Sequence, residues 1–134
     1  MDVMTISFPG NKKVDSTYRG FTVQTDQPKE DGGDHSAPEP FDIFLASIGT
    51  CAGIYVASFC QERKIDMTGL KLELNFEKND KTFMVEKIRI DIHLPAGFPE
   101  KYRNAVARTA DLCFVKKHLL QPPQFEIAAT IASV

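Results

Sequence analysis

At 134 residues the chain is long enough for one domain and too short for two ordinary ones. Hydrophobic residues make up 43% and charged residues 25%, which fits a packed core and excludes wholesale disorder. The net charge of -2 and scattered basic residues lack the positive field of a nucleic-acid binder, and no apolar run approaches the roughly 20 residues of a membrane helix. Met1-Asp2-Val3 does not open a signal peptide, so a cytoplasmic protein is expected.

The amino-terminal stretch 1–26 reads as an antiparallel β-meander. Val3, Ile6 and Phe8 suggest a first strand, Pro9-Gly10-Asn11 a turn, Lys12 to Arg19 a polar second strand, and Phe21 to Thr25 a third. Residues 27–40 carry three prolines, the Gly32-Gly33 pair and several acids without periodicity, the pattern of a long surface loop. The pattern changes at Phe41. Phe41, Phe44, Leu45, Ile48, Ala52, Tyr55, Val56 and Phe59 recur at helical spacing, predicting an amphipathic helix over 41–64. Pro40 and Asp42 suit its first turn, and Gly49 and Gly53 invite close approach of another segment.

Leu70, Leu72, Leu74 and Phe76 alternate with polar residues, as do Ile88, Ile90, Ile92 and Leu94, predicting a β-hairpin over 68–94 with its turn at Asn79-Asp80. A second helical region is expected over 99–120, ended by Pro122-Pro123. Phe125, Ile127, Ala129 and Ile131 then alternate as a final strand over 123–133. This order predicts one α+β domain over 1–134. Burying so long an apolar helix in so small a domain invites a second subunit.

Cys51, Cys60 and Cys113 remain. An odd count in a cytosolic-looking chain speaks against a disulfide framework. His35, His93 and His118 do not recur with them at ligand spacing, so no metal site is expected. A free cysteine is most often a small buried hydrophobe, and Cys60, just past Phe59, keeps that reading. Cys51 lies within the apolar stripe among small neighbours that leave room for a substrate. Cys113 precedes Lys116-Lys117-His118, whose charge would favour a thiolate. If the two helices pack, these two sulfurs can meet.

The segments Pro38-Glu39-Pro40-Phe41-Asp42-Ile43-Phe44-Leu45-Ala46-Ser47-Ile48-Gly49-Thr50-Cys51 and Cys113-Phe114-Val115-Lys116-Lys117-His118-Leu119 resemble the two cysteine segments of the OsmC/Ohr superfamily, the osmotically inducible and organic hydroperoxide resistance proteins. Thr25-Asp26-Gln27-Pro28 and Gly32-Gly33 are similar to one OsmC-like subgroup, and the order of elements agrees along the chain. The resemblance implies an OsmC-like fold, with antiparallel sheets wrapped around long central helices in an intertwined homodimer. It implies a peroxidase that reduces organic hydroperoxides in oxidative-stress defence, with Cys51 as the attacking thiolate and Cys113 as the resolving thiol. No resident cofactor is implied. The disulfide would be returned to thiols by an external thiol reductant, dihydrolipoyl groups in the Ohr branch.

The family also uses an arginine from the amino-terminal strands and a carboxylate near the start of the cysteine helix. Arg19, in Arg19-Gly20-Phe21-Thr22-Val23, resembles the former; an exposed strand arginine is the plain alternative. Peroxide-reducing members place Glu ten residues before the first cysteine, where this chain has Phe41. Asp42 stands one residue later and Glu39 two earlier, and Asp42 serves either the catalytic arginine or simply the helix dipole. The altered acid leaves an alternative function: an OsmC-like dimeric protein that binds a small molecule with little or no peroxidase turnover.

Overall fold

The computed structural model describes residues 2–133; Met1 and Val134, the ends of the expected domain, lie outside the described residues. The chain forms two compact units, Met1–Ser47 and Ile48–Val134, whose division falls inside the longest helix.

The first unit is a three-stranded antiparallel sheet in the order β1-β2-β3, with β1 at Thr5–Gly10, β2 at Lys13–Tyr18 and β3 at Phe21–Thr25. β1 continues through Pro9, beyond the turn expected there. The ladder is irregular between Ser7 and Gly10, and a proline without an N–H is tolerated at such a place. β2 and β3 are joined by Arg19-Gly20 alone, both at positive φ (52° and 81°), the two-residue geometry whose twist matches a hairpin. Phe8, Phe21 and Val23 stay exposed on this sheet.

The loop after β3 is ordered by one buried acid. Asp26 accepts hydrogen bonds from the Gln27 amide (2.8 Å) and the Ser36 amide (3.0 Å), and its carboxyl also takes the Ser36 hydroxyl. Lys13 reaches Asp34 at 2.7 Å and the Asn11 side-chain amide reaches the Gly32 carbonyl at 2.9 Å, tying the loop to the sheet. Gly33 packs so closely that a Cβ there would stand 2.0 Å from the Gln27 carbonyl oxygen, so no other residue fits that backbone.

Helix α1 runs Pro40–Glu62. It stops where Lys64 turns to φ 55° and the Ile65 amide closes back on the Cys60 carbonyl at 2.8 Å. α1 corrects one expectation: its length and mean hydropathy of 1.8 over an 18-residue window would suffice by composition to cross a membrane. Asp42, Ser47, Thr50 and Ser58 interrupt the apolar run without lowering its average below that of a span.

In the second unit, Ala52, Val56, Phe59 and Cys60 of α1 form the buried core with Val106 and Ala110 of α2, Arg103–Ala110. An antiparallel hairpin of β4 (Lys71–Lys78) and β5 (Val85–His93) packs its alternate residues on this core. Its register pairs Leu72 with Ile92, Leu74 with Ile90 and Phe76 with Ile88, which places the apolar side chains on one face. At Gly49 a Cβ would lie 3.1 Å from the Leu74 side chain, so that glycine admits the sheet, whereas Gly53 meets nothing within 4 Å.

Two expectations are corrected here. The second helical region is not continuous: a 3-10 turn at Glu100–Tyr102 leads into α2, a break covers residues 111–113, and α3 follows at Phe114–Leu120. The final strand over 123–133 is absent. Residues 122–133 form no ladder, and Ile127 and Ile131 are 97% and 98% exposed. Alternation supplies a face for a strand, but a strand also needs a neighbour to accept its hydrogen bonds.

Candidate functional site

Cys51 sits mid-helix on α1, one turn after Ile48, and is partly exposed. Cys113 lies in the break after α2, only 2% exposed, and is the amino-terminal cap of α3. Its sulfur accepts the Lys116 amide at 3.4 Å and can donate its proton to the Ile48 carbonyl at 3.9 Å. Ile48 belongs to the same face of α1 as Cys51, so the cap is seated against the turn that carries Cys51. Cys113 and Cys51 are near enough to shift one another's ionisation in opposite directions.

The two thiols differ in acidity. Burial alone would raise Cys51, but the Val115 amide, the Cys113 thiol and the Phe114 amide together outweigh it and hold Cys51 below the ordinary value of about 9. Cys113 moves the other way. Burial raises it, the Lys116 amide opposes that in part, and the hydrogen bond to Cys51 keeps the proton on Cys113. Of the two, Cys51 is the more readily ionised and Cys113 the one that holds its proton more firmly. The expectation that basic neighbours make Cys113 the thiolate is reversed, because those neighbours are engaged elsewhere: the Lys116 ammonium pairs with Asp111, and His118 binds the Phe114 carbonyl at 2.8 Å.

Cys60 is fully buried and its thiol is raised by burial, with only partial relief from the nearby Arg63 charge. It has no part in the pair. Arg19 stands exposed at the β2–β3 turn, its guanidinium 4.9 Å over the Tyr18 ring. Asp42 is exposed in the first turn of α1, and among the described residues no ion pair joins it to Arg19. Phe41, in place of the family's glutamate, stacks on Phe44 at 5.5 Å. Arg19 and Asp42 belong to the first unit and the two cysteines to the second.

Cys113 lines a largely apolar groove of about 730 Å³ together with Ile48 of α1, Ile88 and Ile90 of β5, and Leu119 and Leu120 of α3. The residues that sequence reasoning missed act through their backbones: the Phe114, Val115 and Lys116 amides and the Ile48 carbonyl. No side-chain pattern marks a backbone donor, and cysteine is not a usual helix cap, so nothing in the sequence signalled them.

Residues 33–128 match the family described as OsmC-like protein. No curated protein matches the chain in sequence. Solved structures do match in fold. A protein from Psychrobacter arcticus 273-4, provisionally described as an osmotic stress induced and detoxification response protein, is 20% identical with a TM-score of 0.73, covering 87% of each chain. An OsmC like protein from Mycoplasma pneumoniae is 12% identical with a TM-score of 0.69, covering 91% of this chain and 89% of that one. An organic hydroperoxide resistance protein OsmC from Legionella pneumophila is 16% identical with a TM-score of 0.54, covering 89% and 88%. At these identities the likeness carries the fold.

Proposed function

This chain belongs to the OsmC-like protein family, and from that premise we propose that it is a thiol-dependent peroxidase acting on organic hydroperoxides. The observation that supports the reading is the buried Cys113 seated against Ile48, one turn before Cys51 on α1, with Cys51 held below the ordinary thiol range and Cys113 above it. The Cys51 thiolate attacks the outer oxygen of the hydroperoxide. The O–O bond breaks, the alkoxide leaves as alcohol after taking a proton, and Cys51 becomes a sulfenic acid. The Cys113 sulfur then attacks the Cys51 sulfur, its proton goes to the departing hydroxyl as water, and the Cys51–Cys113 disulfide forms. Two thiols of an external reductant, such as a dihydrolipoyl group, take the disulfide back to the starting pair. Arg19 is proposed to stabilise the Cys51 thiolate and Asp42 to hold Arg19, in a cytoplasmic protein that needs no resident cofactor.

A homodimer is part of the proposal. Phe8 and Phe21 on the first sheet, and Phe125, Ile127 and Ile131 beyond α3, are apolar side chains left to solvent in the single chain. A second copy would supply the missing neighbour for the carboxyl-terminal segment. Light scattering at micromolar concentration should give twice the chain mass, and a monomer at every concentration would remove this part.

The chemistry is tested by intact-mass analysis after one equivalent of cumene hydroperoxide. Loss of two hydrogens, mapped to Cys51 and Cys113, is expected, and Cys51→Ser should abolish turnover. Unmodified cysteines, or full turnover in Cys51→Ser, would overturn the reading. Phe41 in place of the acid supports the alternative of a binding protein with little turnover, which a peroxidase rate well above that of a free thiol would exclude.

A further inference from the structure

We propose that Cys113 is a redox latch for helix α3, so that forming the Cys51–Cys113 disulfide releases the amino terminus of α3 and loosens one wall of the apolar groove. This rests on the two-cysteine reading above and extends it to the regulation of the same site.

The Cys113 sulfur holds two positions at once. It caps α3 through the Lys116 amide at 3.4 Å and lies 3.9 Å from the Ile48 carbonyl, one turn before Cys51 on α1. A disulfide needs the sulfurs at about 2.05 Å, closer than two free thiols stand, so one sulfur must move. Cys51 is the stiff partner: it sits inside a 23-residue helix flanked by the buried Ile48 and Ala52. Cys113 is the soft one. It lies in the break between an eight-residue and a seven-residue helix, and α3 has no buried residue of its own.

Within the single chain, α3 is held by little else. A helix of seven residues is marginal alone, and the exposed Asp111–Lys116 pair adds a small, salt-screened attraction. Phe114, Leu119 and Leu120 are all exposed. Drawing the Cys113 sulfur toward Cys51 takes it from the Lys116 amide, so the first turn of α3 loses its side-chain cap. The loosened helix carries Lys116, Leu119 and Leu120 away from the groove that Cys113 also lines.

The test uses the full-length protein and diamide, a diazene oxidant that takes two electrons and two protons from the thiol pair and leaves the disulfide. Hydrogen exchange is followed by mass spectrometry at the amides of residues 116–120, with those of 106–110 in α2 as reference. The disulfide form should exchange at least tenfold faster than the reduced form at 116–120, with α2 unchanged. Reduced Cys113→Ala should match the oxidised protein, whereas Cys113→Ser, which can still cap, should stay protected and ignore diamide. Equal exchange in the reduced and disulfide forms, or equal loosening of α2, would overturn the latch and leave the peroxidase reading standing. Failure of diamide to link Cys51 and Cys113 would overturn both. Absence of peroxidase turnover with the exchange pattern intact would overturn only the peroxidase.

Discussion

Val106 is 1% exposed and is the larger of the two buried side chains by which α2 packs on α1. Val106→Ala removes two methyl groups from that contact, a transfer loss of about 1.6 kcal/mol at roughly 0.8 per buried carbon. The cavity adds about 1 kcal/mol, because the Ala52, Val56 and Phe59 side of α1 is part of a long helix that cannot collapse inward freely. The sum, about 2.5 kcal/mol, lowers the urea midpoint by about 1 M at a slope near 2 kcal/mol/M. The measurement is equilibrium urea unfolding at one fixed protein concentration, since association would shift the midpoint. The effect should also reach the cysteines. Cys113 follows the end of α2 by three residues, so a loosened α2 loosens the amides that hold Cys51 low, and Cys51 should react more slowly with a chromogenic disulfide reagent at pH 7. A midpoint change below about 0.3 M with an unchanged slope would refute the claim that Val106 anchors α2.

With Cys51 held below the ordinary thiol range and Cys113 above it, alkylation of the native protein should rise first at Cys51 as pH increases and only later at Cys113; simultaneous labelling, read by peptide mass, would contradict the assigned asymmetry. Asp26 is held down to about 2 from 3.8, chiefly by the Ser36 hydroxyl against the cost of burial, with the Gln27 and Ser36 amides and Lys13 adding to it. A depressed carboxyl stabilises the fold above its unfolded value and loses that contribution as pH falls from about 4 through about 2. Asp26→Asn should therefore melt on the order of 5 °C lower at pH 7, with the gap closing toward pH 2 by differential scanning calorimetry.

Much of the fold is legible in residue spacing. Helix α1 shows in the recurrence from Phe41 to Phe59, and the β4–β5 hairpin in the alternation of Leu72, Leu74, Ile88, Ile90 and Ile92, because both elements bury one face against a core that the chain itself supplies. The break at residues 111–113 was not legible. No glycine or proline marks it, and the helix is interrupted where Cys113 packs against Ile48, a contact 65 positions away in sequence. The carboxyl-terminal alternation was legible as a pattern but not as a strand, since the pairing partner is not in the single chain. Charge misled at Cys113: Lys116 and His118 stand close by in sequence, but one faces Asp111 and the other the Phe114 carbonyl.

The same break explains why the chemistry is divided as it is. Had the second helical region run unbroken from Arg103 to Leu120, the Phe114 and Val115 amides would have bonded to carbonyls one turn earlier and been lost to Cys51. Interrupting the helix frees them, and the groups that lower Cys51 all come from residues 113–115. The residue that caps the interruption is Cys113, so the thiol that must stay protonated is the one that burial raises. A chain with Phe41 in place of an acid thus carries, in its backbone at the start of α3, donors that favour ionisation of one cysteine and not the other. Burial and hydrogen bonding, rather than the nearby lysines, decide which sulfur gives up its proton more readily.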